Sequence, residues 1–225
     1  MRKIVVAAFV SVDGVMQAPG GPEEDRSGGF RYGGWMAPFW DDASAQSISE
    51  SFSEPFDLLL GRKTYDIFAS YWPKMAVELS AKNVDSLDAE IARRFDACTK
   101  YVATHRPDSL SWQHSEALGK DAIARLRELK RQDGPCLLTQ GSSELVQQLF
   151  ESDLVDELRL WTFPLLLGQG KRVFGGAALP AGLKLTKSIT SPNGAVIARY
   201  ERAGEVKTGS FAEAEAGEDQ KKNVA

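Results

Sequence analysis

Asp57-Leu-Leu-Leu-Gly-Arg-Lys-Thr-Tyr-Asp66 joins a short apolar run, a glycine, two cations and the start of a helical pattern. The three leucines predict a strand buried on both faces, as in a sheet that helices cover on either side. Thr64 is a candidate N-cap for a helix that we expect to end at Pro73. Free N–H groups beside Arg62 and Lys63 at the start of a helix predict an anion site, most simply for phosphate. A basic surface turn is the alternative interpretation.

A second strand–glycine–helix unit lies later in the chain. Cys136-Leu-Leu-Thr139 predicts a buried strand, and Gln140-Gly-Ser-Ser-Glu144 then opens a helix that Ser142 or Ser143 can cap. In open α/β sheets, ligands bind at the edge where the carboxyl ends of the strands meet. We therefore expect both helix N-termini to face this edge, a pair that suits a diphosphate. A plain helix cap is the alternative.

The order of strand and helix patterns predicts the fold class. Apolar strand patterns alternate with helices, and the last two flank Ser191-Pro-Asn-Gly194, a hairpin turn. This order predicts an α/β fold of three layers, in which helices cover a mixed, mostly parallel central sheet with an antiparallel C-terminal hairpin. We expect one domain over residues 1–203, followed by a polar, disordered tail over residues 204–225.

Composition excludes several classes of function. The 225 residues are 43% hydrophobic and 26% charged, and the net charge of −4 gives no basic field that would attract nucleic acid. Two cysteines and two histidines predict neither a disulfide framework nor a metal site. No segment is apolar over the length that a bilayer requires, and residues 1–10 predict a strand, not a signal peptide. We therefore expect a cytoplasmic protein that binds a small molecule and neither nucleic acid nor membrane.

A Gly- and Pro-rich segment from Gln17 to Pro38 follows the first predicted strand. A loop of this length is typical of a lid or binding loop, and its aromatic residues argue against disorder. Trp35 and Phe39 are therefore candidates for covering a flat ring. The equal alternative is that these rings fill the core or a subunit contact.

Four short motifs occur in order: Ser11-x-Asp13-Gly14, Gly61-Arg-Lys-Thr64, Gly141-Ser-Ser143, and Pro164 through Gly168-x-Gly170 to Phe174. Together they resemble the dihydrofolate reductase superfamily, and most of all the branch that contains the reductase domain of the bifunctional riboflavin-biosynthesis deaminase/reductase. The order and spacing of these motifs resemble those of that branch from about residue 2 to residue 202. No deaminase domain with a zinc signature precedes them, so the chain resembles the stand-alone members of this branch and is expected to share the dihydrofolate reductase-like fold.

The resemblance implies NADPH as the hydride donor and a homodimer. The residues implied on the two sides of the diphosphate are Gly61, Arg62, Lys63 and Thr64, and Gly141, Ser142, Ser143 and Glu144. Those implied near the adenosine ribose and its 2′-phosphate are Thr104, His105 and Arg106, for which an ordinary exposed turn is the alternative. Those implied near the nicotinamide are Val10, Ser11, Asp13 and Gly14. Ser142 replaces the second small residue of the family's Gly-Gly pair, a departure that would hinder close approach to the diphosphate.

The resemblance also implies a reaction. It is hydride transfer to a small heterocyclic or ribosylamine substrate, similar to that of 5-amino-6-(5-phosphoribosylamino)uracil reductase. Asp13 is the candidate for organising the proton path, with a turn residue as the alternative. The substrate-binding candidates are Trp35, Phe39, Pro164, Lys171 and Arg172. Lys171 and Arg172 are either a site for a substrate phosphate or surface charges. The helix after the loop has no carboxylate at the place where folate reductases bind the pterin, so folate reduction is not expected.

Two other classes of function agree with the same residues. One is a nucleotide- or flavin-binding module without turnover, which the missing substrate carboxylate and the aromatic loop favour. The other is a structural dimer module whose aromatic residues form the interface.

Overall fold

The computed structural model describes residues 1–176 and 178–211. This part of the chain forms one eight-stranded sheet. The strands are β1 (Ile4–Ser11), β2 (Phe56–Gly61), β3 (Lys100–Ala103), β4 (Ser115–Ala117), β5 (Cys136–Gln140), β6 (Glu157–Phe163), β7 (Leu183–Thr190) and β8 (Val196–Arg202). The α-helices are α1 (Asp42–Ser51), α2 (Arg62–Ala81), α3 (Leu87–Ala97), α4 (Ala122–Arg131) and α5 (Ser143–Glu151).

The order across the sheet is β4-β3-β2-β5-β1-β6-β8-β7. The first six of these strands are parallel, with β1 hydrogen-bonded to β5 on one side and to β6 on the other. β8 is antiparallel to β6, and β7 is antiparallel to β8. This topology confirms the predicted α/β fold, with a mostly parallel sheet that ends in an antiparallel hairpin. The consecutive carboxyl ends of β3, β2, β5 and β1 lie along one edge of the sheet.

Helices pack on both faces of the sheet and produce two cores. One core contains Ile48 of α1, Tyr65 of α2 and Phe95 of α3. The other contains Leu126 of α4 and Leu149 of α5. Side chains of a strand alternate between the faces, so the apolar run of β2 contributes to both cores. The three predicted layers are therefore present.

Helix α2 differs from its prediction at both ends. It begins at Arg62 with Gly61 as the N-cap residue, so Thr64 lies within the first turn and does not cap the helix. It also continues through Pro73 to Ala81, although proline lacks the N–H of an interior helical bond. Packing explains the continuation, because the Trp72 ring lies 5.2 Å from the Phe95 ring of α3. Tertiary contacts thus outweigh a strong local stop signal.

The loop from Gln17 to Pro38 follows a fixed path across the carboxyl edge of the sheet. The side-chain amide of Gln17 donates to the carbonyl oxygens of Asp25 and Ser27 at 3.1 and 2.9 Å. The indole N–H of Trp35 donates to the Gln17 carbonyl oxygen at 2.8 Å. Gln17 and Trp35 are both buried. These bonds join the first part of the loop to its later parts, and the two buried side chains pack the loop against the domain.

The end of the chain is described only in part. The Gly204 carbonyl oxygen accepts from the N–H of Gly182 at 2.8 Å, which holds the start of the predicted tail beside the last hairpin. From residue 212 onward the predicted disordered tail lies outside the described residues. Among the helices of the described ranges, none combines the length and apolarity needed to cross a membrane.

Candidate functional site

A cavity of about 1590 Å³ opens at the carboxyl edge of the parallel strands. Its floor includes the strand ends at Phe9, Gly61, Ala103 and Gln140, which belong to β1, β2, β3 and β5. The loop segment from Met16 to Asp25 forms one wall, and α2 forms another. The site therefore lies at the edge that the strand order predicts for a ligand.

Two helix N-termini converge in the cavity and are hydrogen-bonded to each other. The N–H of Gly61 donates to Ser142 Oγ at 2.8 Å, although the two residues are 81 positions apart. A Cβ at Gly61 would lie 3.2 Å from Ser142 Cβ and Oγ, closer than ordinary van der Waals contact, so glycine allows this approach without displacing Ser142. The eight residues predicted on the two sides of a diphosphate, 61–64 and 141–144, all line the cavity. The structure thus brings both N–H-rich turns to one place.

Ser142 occupies the N-cap position of α5 but does not cap the helix through its side chain. Its hydroxyl accepts the Gly61 N–H instead, and Ser143 is the first helical residue. Ser142 also has φ 66° and ψ 63°, a left-handed conformation that is unusual for residues other than glycine. The sequence expectation of a serine side-chain cap is therefore corrected, because the hydroxyl joins two helix starts.

Cations cluster at the end of the cavity formed by β3 and α2. The guanidinium of Arg62 contacts both carboxylate oxygens of Asp66 at 2.8 and 3.0 Å, and Arg106 lies 3.7 Å from the same carboxylate. Thr104, His105 and Arg106, predicted near an adenosine ribose, all line this end. Arg106 remains largely exposed, so an incoming anion can reach it.

A third helix N-terminus joins this end of the cavity, and the sequence reasoning missed it. Gly119, Lys120 and Asp121 line the cavity just before α4. Asp121 caps α4, since its side chain accepts the N–H of Ala124 at 2.9 Å. The signal was available as a glycine and an N-cap aspartate ahead of an amphipathic helix.

Asp25 connects the loop to two lysines of the cavity. Its carboxylate lies 2.5 Å from Lys63 Nζ and 2.9 Å from Lys171 Nζ. Burial favours a higher pKa for Asp25, but hydrogen bonds from Lys63, the Ser27 hydroxyl and Lys171 hold the pKa well below its usual range. Both lysines were predicted to bind anions. Of the five predicted substrate-binding residues, Lys171 is the one that lines the cavity. The single carboxylate of Asp25 faces both lysines and offsets only part of their charge.

The β1 end of the cavity is lined by residues other than the predicted ones. Ala7 and Phe9 face the cavity, whereas Val10 belongs to the opposite core because side chains alternate along the strand. Ser11 is buried and Gly14 lies in the following turn, and neither lines the cavity. Met16 and Gln17 extend the lining beyond β1. None of the four residues predicted near a nicotinamide, Val10, Ser11, Asp13 and Gly14, is part of the cavity lining.

Asp13 lies outside the cavity lining and stabilises a turn. It accepts from the Ser11 hydroxyl at 2.6 Å and from the N–H groups of Leu167 and Gly168 at 3.1 and 2.9 Å. Arg172 contacts the same carboxylate at 3.2 Å. The Ser11 hydroxyl, more than the backbone donors, lowers the pKa of Asp13 well below its usual range despite burial. This geometry corrects the proton-path expectation, because the carboxylate is fully engaged away from the cavity.

Four of the predicted substrate-binding residues also lie outside the lining. Trp35 and Phe39 pack on Phe163, with ring centroids 5.7 and 6.3 Å apart, so the core alternative applies to these rings. Pro164 does not line the cavity, and Arg172 pairs with Asp13. The residues that form the apolar lining instead are Phe9, Met16, Met36, Ile67, Phe68, Tyr71 and Trp72. The contribution of α2 was missed because apolar residues at helical spacing predict a face packed in the core equally well.

Glu24 is a carboxylate of the loop that faces the cavity. Its Oε2 accepts from the N–H groups of Gly20 at 2.7 Å and Gly21 at 3.2 Å. Burial raises the pKa of this carboxyl above its usual range, which outweighs the opposite effect of the two N–H donors.

Helix α1 contributes nothing to the cavity lining. Asp41 caps this helix by accepting from Ser44 N at 2.9 Å, and it also accepts from Asn193 N at 3.1 Å. Glu50 pairs with Lys187 at 2.5 Å. Within residues 1–176 and 178–211, no group of three or more His, Cys, Asp or Glu residues is arranged to hold a metal ion.

Solved structures place this fold among the dihydrofolate reductase-like proteins. Dihydrofolate reductase from Enterococcus faecalis, solved with NADP(H) and RAB-propyl, superposes with a TM-score of 0.53 at 12% identity, over 89% of this chain and 96% of that one. A diaminohydroxyphosphoribosylaminopyrimidine deaminase/5-amino-6-(5-phosphoribosylamino)uracil reductase from Thermotoga maritima superposes with a TM-score of 0.54 at 13% identity. That match covers 90% of this chain and 57% of the longer bifunctional chain.

Sequence comparison then assigns the family. The chain matches the family model of the RibD C-terminal domain over residues 2–197, so it belongs to that family and the predicted resemblance is confirmed. Two Bacillus subtilis (strain 168) proteins are similar over their full lengths. The uncharacterized protein YyaP is 23% identical over 204 residues, covering 90% of this chain and 96% of YyaP. The uncharacterized protein YwjB is 25% identical over 202 residues, covering 90% and 99%.

Proposed function

We propose that the protein is an NADPH-dependent reductase that transfers a hydride to a small heterocyclic or ribosylamine substrate. The observation that carries this proposal is the direct hydrogen bond between the N-termini of α2 and α5, through Gly61 and Ser142, at the carboxyl edge of the sheet. Two helix N-termini at one cavity, each with N–H groups in its first turn, favour a diphosphate over a single phosphate. Membership of a family related in fold to reductases supports the same class.

The surrounding charges fit a dinucleotide with an additional phosphate. Arg62 and Arg106 lie together at one end of the cavity and share the carboxylate of Asp66, and Arg62 also donates to Ser109 Oγ at 2.6 Å. A 2′-phosphate there would offer two guanidinium groups a second anionic acceptor beside Asp66, which a 2′-hydroxyl cannot supply. NADPH would supply the hydride, and the chain would bind and orient it through these residues.

The opposite end of the cavity fits a flat substrate. Phe9 of β1, Met36 of the loop and Phe68 of α2 line it. Apolar and aromatic walls of this kind enclose a ring while a few polar groups fix its orientation. We propose that the substrate ring lies between these walls, and that the protein works in the cytoplasm as a homodimer.

Anaerobic turnover assays test the proposed activity. Purified protein would be incubated with NADPH and a panel of aminopyrimidines and phosphorylated ribosylamines, with reduced products identified by mass spectrometry. We expect one class of substrate to give a product in proportion to the NADPH consumed. Consumption of NADPH without any reduced product would contradict catalysis of this type.

A non-catalytic nucleotide- or flavin-binding module is the second candidate function. The observation that favours it is that Trp35, Phe39, Pro164 and Arg172 lie outside the cavity, so much of the expected substrate site is absent from the lining. This candidate predicts nucleotide binding at the α2 and α5 N-termini without turnover of any substrate in the panel. Binding of FMN in preference to NADPH would favour it directly.

A further inference from the structure

Asp66 places a carboxylate at the cationic end of the cavity. It follows Arg62 by one turn of α2, and it faces both arginines of this end. Arg62 contacts it through Nε at 3.0 Å and through Nη2 at 2.8 Å, and Arg106 Nη2 lies 3.7 Å from it. The chain therefore supplies an anion of its own beside the place that we propose for the 2′-phosphate.

This carboxylate is open to an incoming ligand. The side chain of Asp66 is 46% exposed, that of Arg106 is 66% exposed, and both residues line the cavity. A phosphate that binds to Arg106 would therefore come close to the carboxylate of Asp66. Two like charges at such a short separation repel each other, even where water screens them.

Arg62 is held in place by other partners besides Asp66. Its Nη1 donates to Ser109 Oγ at 2.6 Å and to the Arg106 carbonyl oxygen at 3.3 Å. Its guanidinium carbon also lies 5.6 Å from the centre of the ring of Tyr65, which is buried. Arg62 would therefore keep its position without the carboxylate. It follows that the charge of Asp66 opposes a ligand phosphate more than it prepares the site for one.

The opposing charge acts differently on the two nicotinamide cofactors. NADPH carries a 2′-phosphate where NADH carries a hydroxyl, and the two molecules are otherwise the same. A carboxylate at this position repels the phosphate and does not repel the hydroxyl. In many dinucleotide-binding sites an acidic residue beside the ribose favours the hydroxyl, whereas an arginine accommodates the phosphate. This cavity has both kinds of residue at one end.

We propose that Asp66 is a specificity-determining residue of the cofactor site, and that its carboxylate limits the preference for NADPH over NADH. This inference rests on the proposed function, because it concerns the cofactor choice of the same cavity. The preference is then a balance between two guanidinium groups that attract the 2′-phosphate and one carboxylate that repels it.

Isothermal titration of Asp66→Asn with two pairs of nucleotides tests this assignment. The first pair is NADPH and NADH, and the second is 2′,5′-ADP and 5′-AMP, which carry the adenosine end alone. Within each pair the molecules differ by the 2′-phosphate. Asparagine keeps an oxygen acceptor for Arg62 and removes the charge. The matched control is Asp133→Asn, because Asp133 is exposed and lies outside the cavity lining.

We expect the ratio of the NADH Kd to the NADPH Kd to rise about tenfold in Asp66→Asn, because the substitution removes a like charge beside the phosphate. The ratio of the 5′-AMP Kd to the 2′,5′-ADP Kd should rise by a similar factor. Both ratios should keep their wild-type values in Asp133→Asn, and unchanged melting temperatures would verify that both variants are folded. Ratios that stay the same or fall in Asp66→Asn would overturn the assignment, since a fall would mean that the carboxylate serves to orient the arginines.

Binding and turnover together separate this inference from the proposed reductase. If the two ratios depend on Asp66 and no substrate of the panel is reduced, the reductase proposal fails and the assignment of Asp66 stands. If a substrate is reduced with NADPH and both ratios are independent of Asp66, the assignment fails and the reductase proposal stands. Failure of all four nucleotides to bind would overturn both.

Discussion

Lys100 is a lysine in the core, whereas lysine side chains usually lie on the surface. It is fully buried in β3, where its Nζ donates to the carbonyl oxygens of Asp96 and Gln113 at 2.9 and 3.0 Å. The same nitrogen lies 4.5 Å from the centre of the Trp112 ring. Burial lowers the pKa of this lysine below its usual range. The ammonium group therefore joins α3 to the segment that leads into β4.

We expect Lys100→Ala to lower the free energy of unfolding by about 3 kcal/mol, because it leaves two carbonyl groups without a partner and creates a cavity. Urea denaturation followed by circular dichroism measures this change. Lys74→Ala is the matched control, since Lys74 is exposed on α2, and it should change stability by no more than about 0.5 kcal/mol. Equal stability of the two variants would contradict a structural role for Lys100.

The contact between Gly61 and Ser142 gives a second prediction for single residues. A methyl group at Gly61 would lie 3.2 Å from both Ser142 Cβ and Oγ, and would push the two helix starts apart. Gly61→Ala should therefore weaken NADPH binding about tenfold, which corresponds to about 1.4 kcal/mol. Adding Ser142→Gly removes both clashing atoms but also the Oγ that accepts from the N–H of residue 61, so it should recover part of the affinity. No recovery in the double variant, measured by fluorescence titration, would contradict the steric account.

At the scale of elements, two ion pairs of Asp25 connect the loop over the cavity to the rest of the domain. Asp25 pairs with Lys63 of α2 and with Lys171 of the turn after β6. Its carboxylate is only 10% exposed, so these ion pairs are screened less than surface pairs. The same lysines would attract a ligand phosphate, and the loop carboxylate would then compete with it.

We expect Asp25→Asn to release the loop, because two neighbouring lysines lose their common anion. Limited proteolysis should cut within residues 17–38 about tenfold faster than in wild type, as expected when local opening becomes about 1.4 kcal/mol easier. Glu23→Gln is the control, since Glu23 pairs only with Arg26 of the same loop. Equal cleavage of Asp25→Asn and wild type would show that these ion pairs do not hold the loop.

Elements with strong local signals were predictable from the sequence. The buried strands, the glycine turns at Gly61 and Gly141, and the hairpin at Ser191-Pro-Asn-Gly194 each depend on neighbouring residues only. The continuation of α2 through Pro73 was not predictable, because contacts between Trp72 and Phe95 of another helix decide it.

Part of the candidate site was also predictable from the sequence. Residues 61–64 and 141–144 were found because strand ends and helix starts fix their position in any sheet of this topology. Asp13 was misplaced because its partners, Leu167, Gly168 and Arg172, lie more than 150 positions away. Glu24 carried no local signal, since its exposure to the cavity depends on the path of the whole loop.

For the molecule as a whole, the central claim is that one edge of the sheet binds NADPH. The order of the strands brings three helix N-termini, those of α2, α4 and α5, to the same cavity. The arginines at one end and the apolar walls at the other give this cavity two chemically different halves. That division suits a cofactor phosphate at the first end and a reacting ring at the second.

Titration with NADPH and, separately, with NADH tests this claim most directly, with intrinsic tryptophan fluorescence as the signal. We predict that NADPH binds at least about tenfold more tightly than NADH, because charge-assisted bonds to the 2′-phosphate are worth about 1.5–3 kcal/mol. Arg106→Ala should reduce this preference, because Arg62 remains, and should leave the affinity for NADH unchanged. Failure of both nucleotides to bind, or equal affinity for the two, would contradict the account.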